Sequence, residues 1–186
     1  LFRSAVIPSG YRTVEVLQRP SDDVLARLQG VSRPWLVYVA HPGGHKNHLR
    51  LINAFALVRK TVPTASLLLT VDVKHSVSSL YGRLVKEIVA QTQAAGVCDA
   101  VYFLGNLPSS ATCAVLSAST LHVFPSLSES FGLPLAESVA ADCPVAVSDR
   151  PFAHDVMGKS ARYFDPCDER KIADVVVKCL HDIDSG

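Results

Sequence analysis

Apolar residues in this chain fall in short continuous runs, separated by segments with helical spacing. The first run, Trp35-Leu36-Val37-Tyr38-Val39-Ala40, shows no polar alternation and predicts a strand buried on both faces. Ser66 to Val71, Ala100 to Leu104, Leu121 to Phe124, Pro144 to Val147 and Ala161 to Phe164 repeat the pattern. A helix is expected from about Lys46 to Arg59, with Leu49, Ile52 and Ala56 on one face. Another carries Leu80, Leu84 and Ile88 at i, i+4, i+8 and ends near Gly96. Ser110 to Ser117 reads as a short helix, and Pro134 suits the first turn of the next. Ile172, Val175, Val176, Cys179 and Leu180 form the apolar stripe of a final helix, with Asp168 as its N-cap.

Parallel strands need crossovers, and helices on both faces account for strands that are apolar throughout. The expected fold is therefore α/β, an open, doubly wound parallel sheet of about six strands in residues 31–186. Residues 1–30 are less regular and read as a lead-in from a neighbouring domain. The first residue is Leu1, not Met, which points to a piece of a longer protein.

Composition sharpens this in three ways. With 48% of its 186 residues hydrophobic and 19% charged, the chain can build a full core and is not disordered. A formal net charge of +1 gives no footprint for nucleic acid, so any bound anion must be held locally. The five cysteines are odd in number and never spaced C-x-x-C, which favours buried thiols in a reducing, cytoplasmic setting over disulfides or zinc. No apolar run approaches the roughly 18–20 residues of a spanning helix.

In an open α/β sheet, ligands bind outside the carboxyl ends of the strands, and two loops of unusual composition belong there. After the first strand comes His41-Pro42-Gly43-Gly44-His45-Lys46-Asn47. Gly43 and Gly44 allow close approach of backbone to ligand, and Lys46 is placed at the opening of a helix. A cation there is unfavourable unless an anion lies nearby, so the loop suits a phosphate about as well as it suits a solvated lysine. After the fourth strand comes Ser128-Glu129-Ser130-Phe131-Gly132-Leu133-Pro134-Leu135-Ala136-Glu137. With Pro134 as first helical residue, Glu137 falls in the first turn and Glu129 in the loop, both facing one crevice. Carboxylates accept hydrogen bonds from sugar diols, and the N–H groups of Phe131 to Leu135 offer an anion-binding terminus. Together these groups match a sugar nucleotide. Glu137 merely complementing its helix dipole and Glu129 being solvated remains an equal alternative on this loop alone.

Glu129 to Glu137 has the E-x7-E spacing, as E-S-F-G-L-P-L-A-E, and resembles the nucleotide-sugar motif of retaining glycosyltransferases of the GT-B fold, family 4 (group 1). The resemblance covers nearly the whole chain. Val6-Ile7-Pro8-Ser9-Gly10, His45-Lys46-Asn47, Tyr102-Phe103-Leu104-Gly105, Val123-Phe124-Pro125-Ser126, Cys143-Pro144-Val145 and Tyr163-Phe164-Asp165-Pro166 follow in the family's order. It implies a Rossmann-like, C-terminal donor-binding half, and metal-independent transfer in polysaccharide biosynthesis. Lys46 would clamp the donor diphosphate and Glu129 would contact hydroxyls of the transferred sugar, these two being the catalytic groups. Glu137 would hold the ribose. Gly43, Gly44, His45, Ser130, Phe131, Gly132 and Leu133 would line the sugar and phosphates, and Asn106 and Leu107 would lie near the base. His41 and His45 stand where the family usually has Arg or Thr, and Arg; an imidazole holds a diphosphate less firmly than an Arg fork.

The resemblance also implies what is needed beyond these residues. No cofactor or metal is expected; the substrate would be a GDP-, UDP- or ADP-sugar. The acceptor-binding N-terminal domain would lie outside this chain, so the isolated domain would bind donor without transferring sugar. Any association with a membrane's cytoplasmic face would come through that missing part. A non-catalytic module that keeps the fold alone is the main alternative, and half of a sugar-nucleotide epimerase is another. His154-Asp155 resembles a catalytic pair but falls where the family has a short helix on the outer wall of the site.

Overall fold

A computed structural model describes residues 22–74 and 80–185. The Val6 to Gly10 segment and most of the expected lead-in lie outside these residues. Six parallel strands form one sheet in the order β3-β2-β1-β4-β5-β6, comprising β1 (Trp35–Tyr38), β2 (Ser66–Leu69), β3 (Val101–Phe103), β4 (Leu121–Phe124), β5 (Val145–Ser148) and β6 (Arg162–Phe164). Every residue of β1, β2, β4 and β5 is buried, as their unbroken apolar runs require.

The helices are α1 (Asp22–Ala26), α2 (His48–Thr61), α3 (Leu80–Ala94), α4 (Ser109–Ala118), α5 (Leu133–Ala140), α6 (Pro151–Met157) and α7 (Glu169–Asp184). α2 packs against α3 and α7; α5 packs against α4 and α6; α1 packs on α4. These two helix groups are the two covers of a doubly wound sheet. Val24 and Leu28 are buried beside α4, so residues 22–28 join the core of this domain. The Asp168 cap is formed: its carboxylate accepts from the N–H groups of Arg170 at 2.9 Å and Lys171 at 3.2 Å.

Two helix faces differ from expectation. In α2 the buried residues are His48, Leu51, Ile52, Ala54, Phe55 and Val58, and Leu49 is 39% exposed. In α3 they include Val85, Ile88 and Thr92, and Leu80 is 66% exposed. Both helices carry apolar residues on more than one face, and the sheet selects the broader one. Of the cysteines, Cys113, Cys143 and Cys179 are buried, but Cys98 and Cys167 are exposed; all are unpaired.

α5 begins one residue before Pro134 because Gly132 takes a left-handed conformation, φ 82, and turns the chain into the helix. Its later anchor is a buried relay. The His122 Nδ1–H donates to Ser138 Oγ at 2.5 Å, and that hydroxyl donates to the Pro134 carbonyl at 2.8 Å. His122 Nε2 accepts from the Val39 N–H at 3.4 Å, which fixes the tautomer and ties β1, β4 and α5 together. Burial pushes the His122 imidazole down to about 3. His48 is pushed down to about 4, chiefly by burial and further by nearby Lys46, against partial compensation from the Ala40 backbone.

Both histidines must therefore fold neutral, while the unfolded chain takes up protons below about 6.5. The unfolded state binds more protons between the folded and unfolded values, so stability should fall as pH drops from about 6.5 toward 4 and level off above. Urea midpoints measured across this range check the slope, and His122→Asn should flatten it. For Gly132→Ala, the left-handed φ and a Cβ placed 3.2 Å from Leu135 Cδ1 act together. The expected loss is about 1–2 kcal/mol of unfolding free energy in urea titration.

Candidate functional site

The strand order reverses between β1 and β4. The crossover after β1 leads to β2 on one side, and the crossover after β4 leads to β5 on the other. The two departing loops turn apart and leave a crevice at the strands' carboxyl ends. They are the loops that carry Lys46 and Glu129.

These loops are joined at successive residues. The Leu127 N–H donates to the His45 carbonyl at 2.7 Å. The Tyr38 hydroxyl donates to the Lys46 carbonyl at 2.8 Å, so the Ser126 hydroxyl, also at 2.8 Å, donates to Tyr38. Burial raises the Tyr38 phenol far above its ordinary value and keeps it a neutral donor. The Asn47 amide donates to the Pro125 carbonyl at 3.1 Å and the Pro166 carbonyl at 2.8 Å, while its own oxygen accepts from Arg50 at 2.9 Å. Asn47 sits at φ 62, a left-handed conformation that Asn tolerates better than most residues. One buried side chain thus fixes the loops after β1, β4 and β6.

Lys46 ends a 3-10 turn, Gly44–Lys46, closed by its own N–H on the Gly43 carbonyl at 2.9 Å. The expectation that Lys46 opens the helix is corrected: left-handed Asn47 interrupts the chain, and α2 starts at His48. The Lys46 ammonium donates to both Glu129 oxygens, at 2.7 and 2.8 Å. The two side chains are only 20% and 10% exposed, so neither is a solvated surface charge. Glu129 is the anion that accounts for a lysine in this position.

The remaining candidates surround this pair at varying distance. Gly43 is extended, and a Cβ there would meet His45 Cε1 at 3.2 Å; a Cβ on Gly44 would meet nothing within 4 Å. His41, His45 and Ser130 are exposed and Phe131 is half-buried. The row of N–H donors is shorter than expected, because Leu135 N–H is bonded to the Gly132 carbonyl at 2.9 Å and Pro134 has none. Among the described residues the N–H groups of Phe131, Gly132 and Leu133 have no backbone partner. Glu137 is half-buried and falls one residue deeper in α5 than expected, since the helix begins at Leu133. Asn106 and Leu107 follow β3 at the end of the sheet, with β2 and β1 between that strand and β4. Asn106 is exposed and Leu107 packs on the α4 side.

The outer wall is the expected short helix, α6. Its Phe152 lies edge-on to Phe124 with ring centroids 6.3 Å apart. His154 pairs with Asp149 at 2.7 Å, not with neighbouring Asp155, and both partners are more than half exposed. Sequence reasoning missed Tyr38, Asn47 and Ser126 as site-building residues. Their signal was polar groups at the ends of otherwise apolar strands and in the H-K-N turn. A cavity of about 310 Å³ borders the β1 loop at Gly43, Gly44, Asn47 and Arg50. A larger one, about 520 Å³, is lined by Leu121, Pro144 and Val145 at the amino ends of β4 and β5, the edge opposite the site. No helix among the described residues is long and apolar enough to cross a membrane. No group of three or more His, Cys, Asp or Glu among them could hold a metal ion.

Residues 28–185 match the family of glycosyl transferases group 1. O-antigen chain mannosyltransferase RfbU of Salmonella typhimurium (strain LT2) is 38% identical over 72 residues, which are 39% of this chain and 20% of that protein. Sucrose-phosphate synthase from Thermosynechococcus elongatus superposes with a TM-score of 0.81 at 24% identity, over 96% of this chain and 43% of its own. Anabaena Alr3699/HepE, solved in complex with UDP and glucose, gives a TM-score of 0.77 at 22% identity, over 94% and 46%. The chain thus spans a fifth of the curated relative and less than half of these structures. With its matching sequence span and its reversed-order parallel sheet, this chain belongs to the glycosyl transferases group 1 family and has the Rossmann-like fold of one half of a GT-B enzyme.

Proposed function

We propose that this chain is the donor-binding domain of a retaining glycosyltransferase and holds a nucleotide-sugar in the crevice between the loops after β1 and β4. The observation that carries this reading is the half-buried contact of Lys46 with both oxygens of Glu129 at the strands' carboxyl edge. A cation and a carboxylate side by side suit a ligand with adjacent diphosphate and sugar hydroxyls. Lys46 would stabilise the charge that develops on the leaving diphosphate, helped by the N–H groups of Phe131, Gly132 and Leu133. Glu129 would accept from the transferred sugar, and Glu137 from the ribose. The acceptor would come from a second domain facing this edge, in the wider enzyme. Holding two reactants in register is worth roughly 7–11 kcal/mol of a barrier, which a lone donor domain lacks.

Calorimetry of the chain with uridine, guanosine and adenosine diphosphates tests the reading and the base together. At least one should bind and raise the unfolding temperature, with no sugar transfer to any acceptor. Absence of binding across all three would favour a non-catalytic module of the same fold. Robust transfer by the chain alone would overturn the two-domain account.

Lys46→Ala should weaken binding of the preferred nucleoside diphosphate by about 1.5–3 kcal/mol, the scale of a hydrogen bond to a charged group. An unchanged titration would remove Lys46 from the site. Glu137→Gln should also weaken it, because the ribose is present in the diphosphate as well as in the full donor. An effect seen only with the full donor would reassign Glu137 to the transferred sugar.

A further inference from the structure

We propose that Glu129 competes with the ligand for Lys46 and so makes the site prefer the intact sugar nucleotide to the nucleoside diphosphate left after transfer. This rests on the donor-binding reading above. Lys46 spends two of its three N–H donors on Glu129, at 2.7 and 2.8 Å. Glu129 is the more enclosed partner, 10% exposed against 20%. Removing one member of an enclosed pair leaves the other charge uncompensated and partly out of water.

The two ligands answer that cost differently. A sugar nucleotide brings phosphate oxygens for Lys46 and sugar hydroxyls for Glu129, so both charges keep partners. A nucleoside diphosphate brings only the phosphate. It draws Lys46 away and gives Glu129 no donor in exchange. No other cation is paired with Glu129: among the described residues its ion pair is with Lys46 alone. Discrimination of this kind works by leaving a charge unpaired in the disfavoured complex. After transfer the carboxylate recaptures the ammonium and helps to expel the diphosphate, which would relieve a slow product-release step.

The backbone supports an exchange of this kind. Lys46 is fixed by bonds at its N–H and carbonyl, and its neighbours by His45 to Leu127 and Asn47 to Pro125. Ser128 and Ser130 on either side of Glu129 are exposed, and residues 128–131 make no backbone hydrogen bond among the described residues. The carboxylate is thus the partner able to shift between ammonium and sugar.

Calorimetry with nucleoside diphosphates on four proteins tests the proposal: the parent chain, Glu129→Gln, Lys46→Ala and the double variant. Glu129→Gln should bind the preferred diphosphate more tightly, by roughly tenfold, and the gain should vanish in the Lys46→Ala background. Glu129→Asp, which keeps the charge, should show no such gain. Thermal unfolding of each variant checks that the fold is retained. If the parent binds diphosphate and Glu129→Gln binds it equally or less well, competition is overturned while the donor site stands. A gain that persists without Lys46 also overturns it, because the carboxylate would then repel the ligand directly. If no protein binds any diphosphate, the donor-binding reading itself fails.

Discussion

The loops leaving β1 and β4 bring backbone carbonyls into a place where water cannot satisfy them, and the site depends on how those carbonyls are paired. The Lys46 and Pro125 carbonyls cannot bond to each other across the crevice, because both are acceptors. Side chains supply the donors instead: Tyr38 to Lys46, Asn47 to Pro125 and Pro166. Each of these bonds removes an orphan acceptor costing about 1–3 kcal/mol. Each also fixes the spacing between a lysine and a glutamate more than eighty positions apart in sequence.

That spacing decides the electrostatics. A surface pair of this kind would be worth little. Here both charges are mostly enclosed, so their attraction is strong and so is the penalty for separating them. The histidines nearest the crevice floor add no charge: burial holds His48 and His122 neutral. The fixed positive charge at the loop after β1 comes from the Lys46 ammonium and from the Arg50 guanidinium held on the Asn47 oxygen, and the Glu129 carboxylate balances the lysine. A ligand must replace that balance, which is why its phosphate and its hydroxyls matter jointly.

Strands were legible because burial on both faces leaves an unbroken apolar run, and the ends differed only by a residue or two. Helix faces were less so. Leu49 and Leu80 have the right spacing for a core stripe, yet the sheet chose Leu51, Phe55 and Val85 beside the expected Ile52 and Ile88, since periodicity does not say which of two apolar faces meets the neighbour. In the site, the unusual loops and the two charged residues could be picked out, but their contact could not. It follows from the reversal of strand order between β1 and β4, a property of the whole sheet. The start of α2 was misplaced for a local reason: nothing in H-K-N announces that Asn47 will turn left-handed, and only its bonds to two buried carbonyls and to Arg50 make that conformation worthwhile. The His122 relay was invisible as well, because a lone histidine in an apolar run gives no clue to the serine that meets it from α5.

The same relay explains why the glutamate side of the crevice can be adaptable without the helix behind it becoming loose. From Ser128 to Phe131 the loop has no backbone bonds among the described residues, which alone would let α5 drift. α5 is instead held from below, by His122 through Ser138 to Pro134, and from the side, where Gly132 leaves room for Leu135 and Phe152. The N–H groups of Gly132 and Leu133 therefore keep a fixed origin while the carboxylate before them has freedom to change partner. Rigidity on the lysine loop and in α5, with a short unrestrained link between them, places the conformational adjustment of binding on the Glu129 segment. Putting it anywhere else would break a buried hydrogen bond.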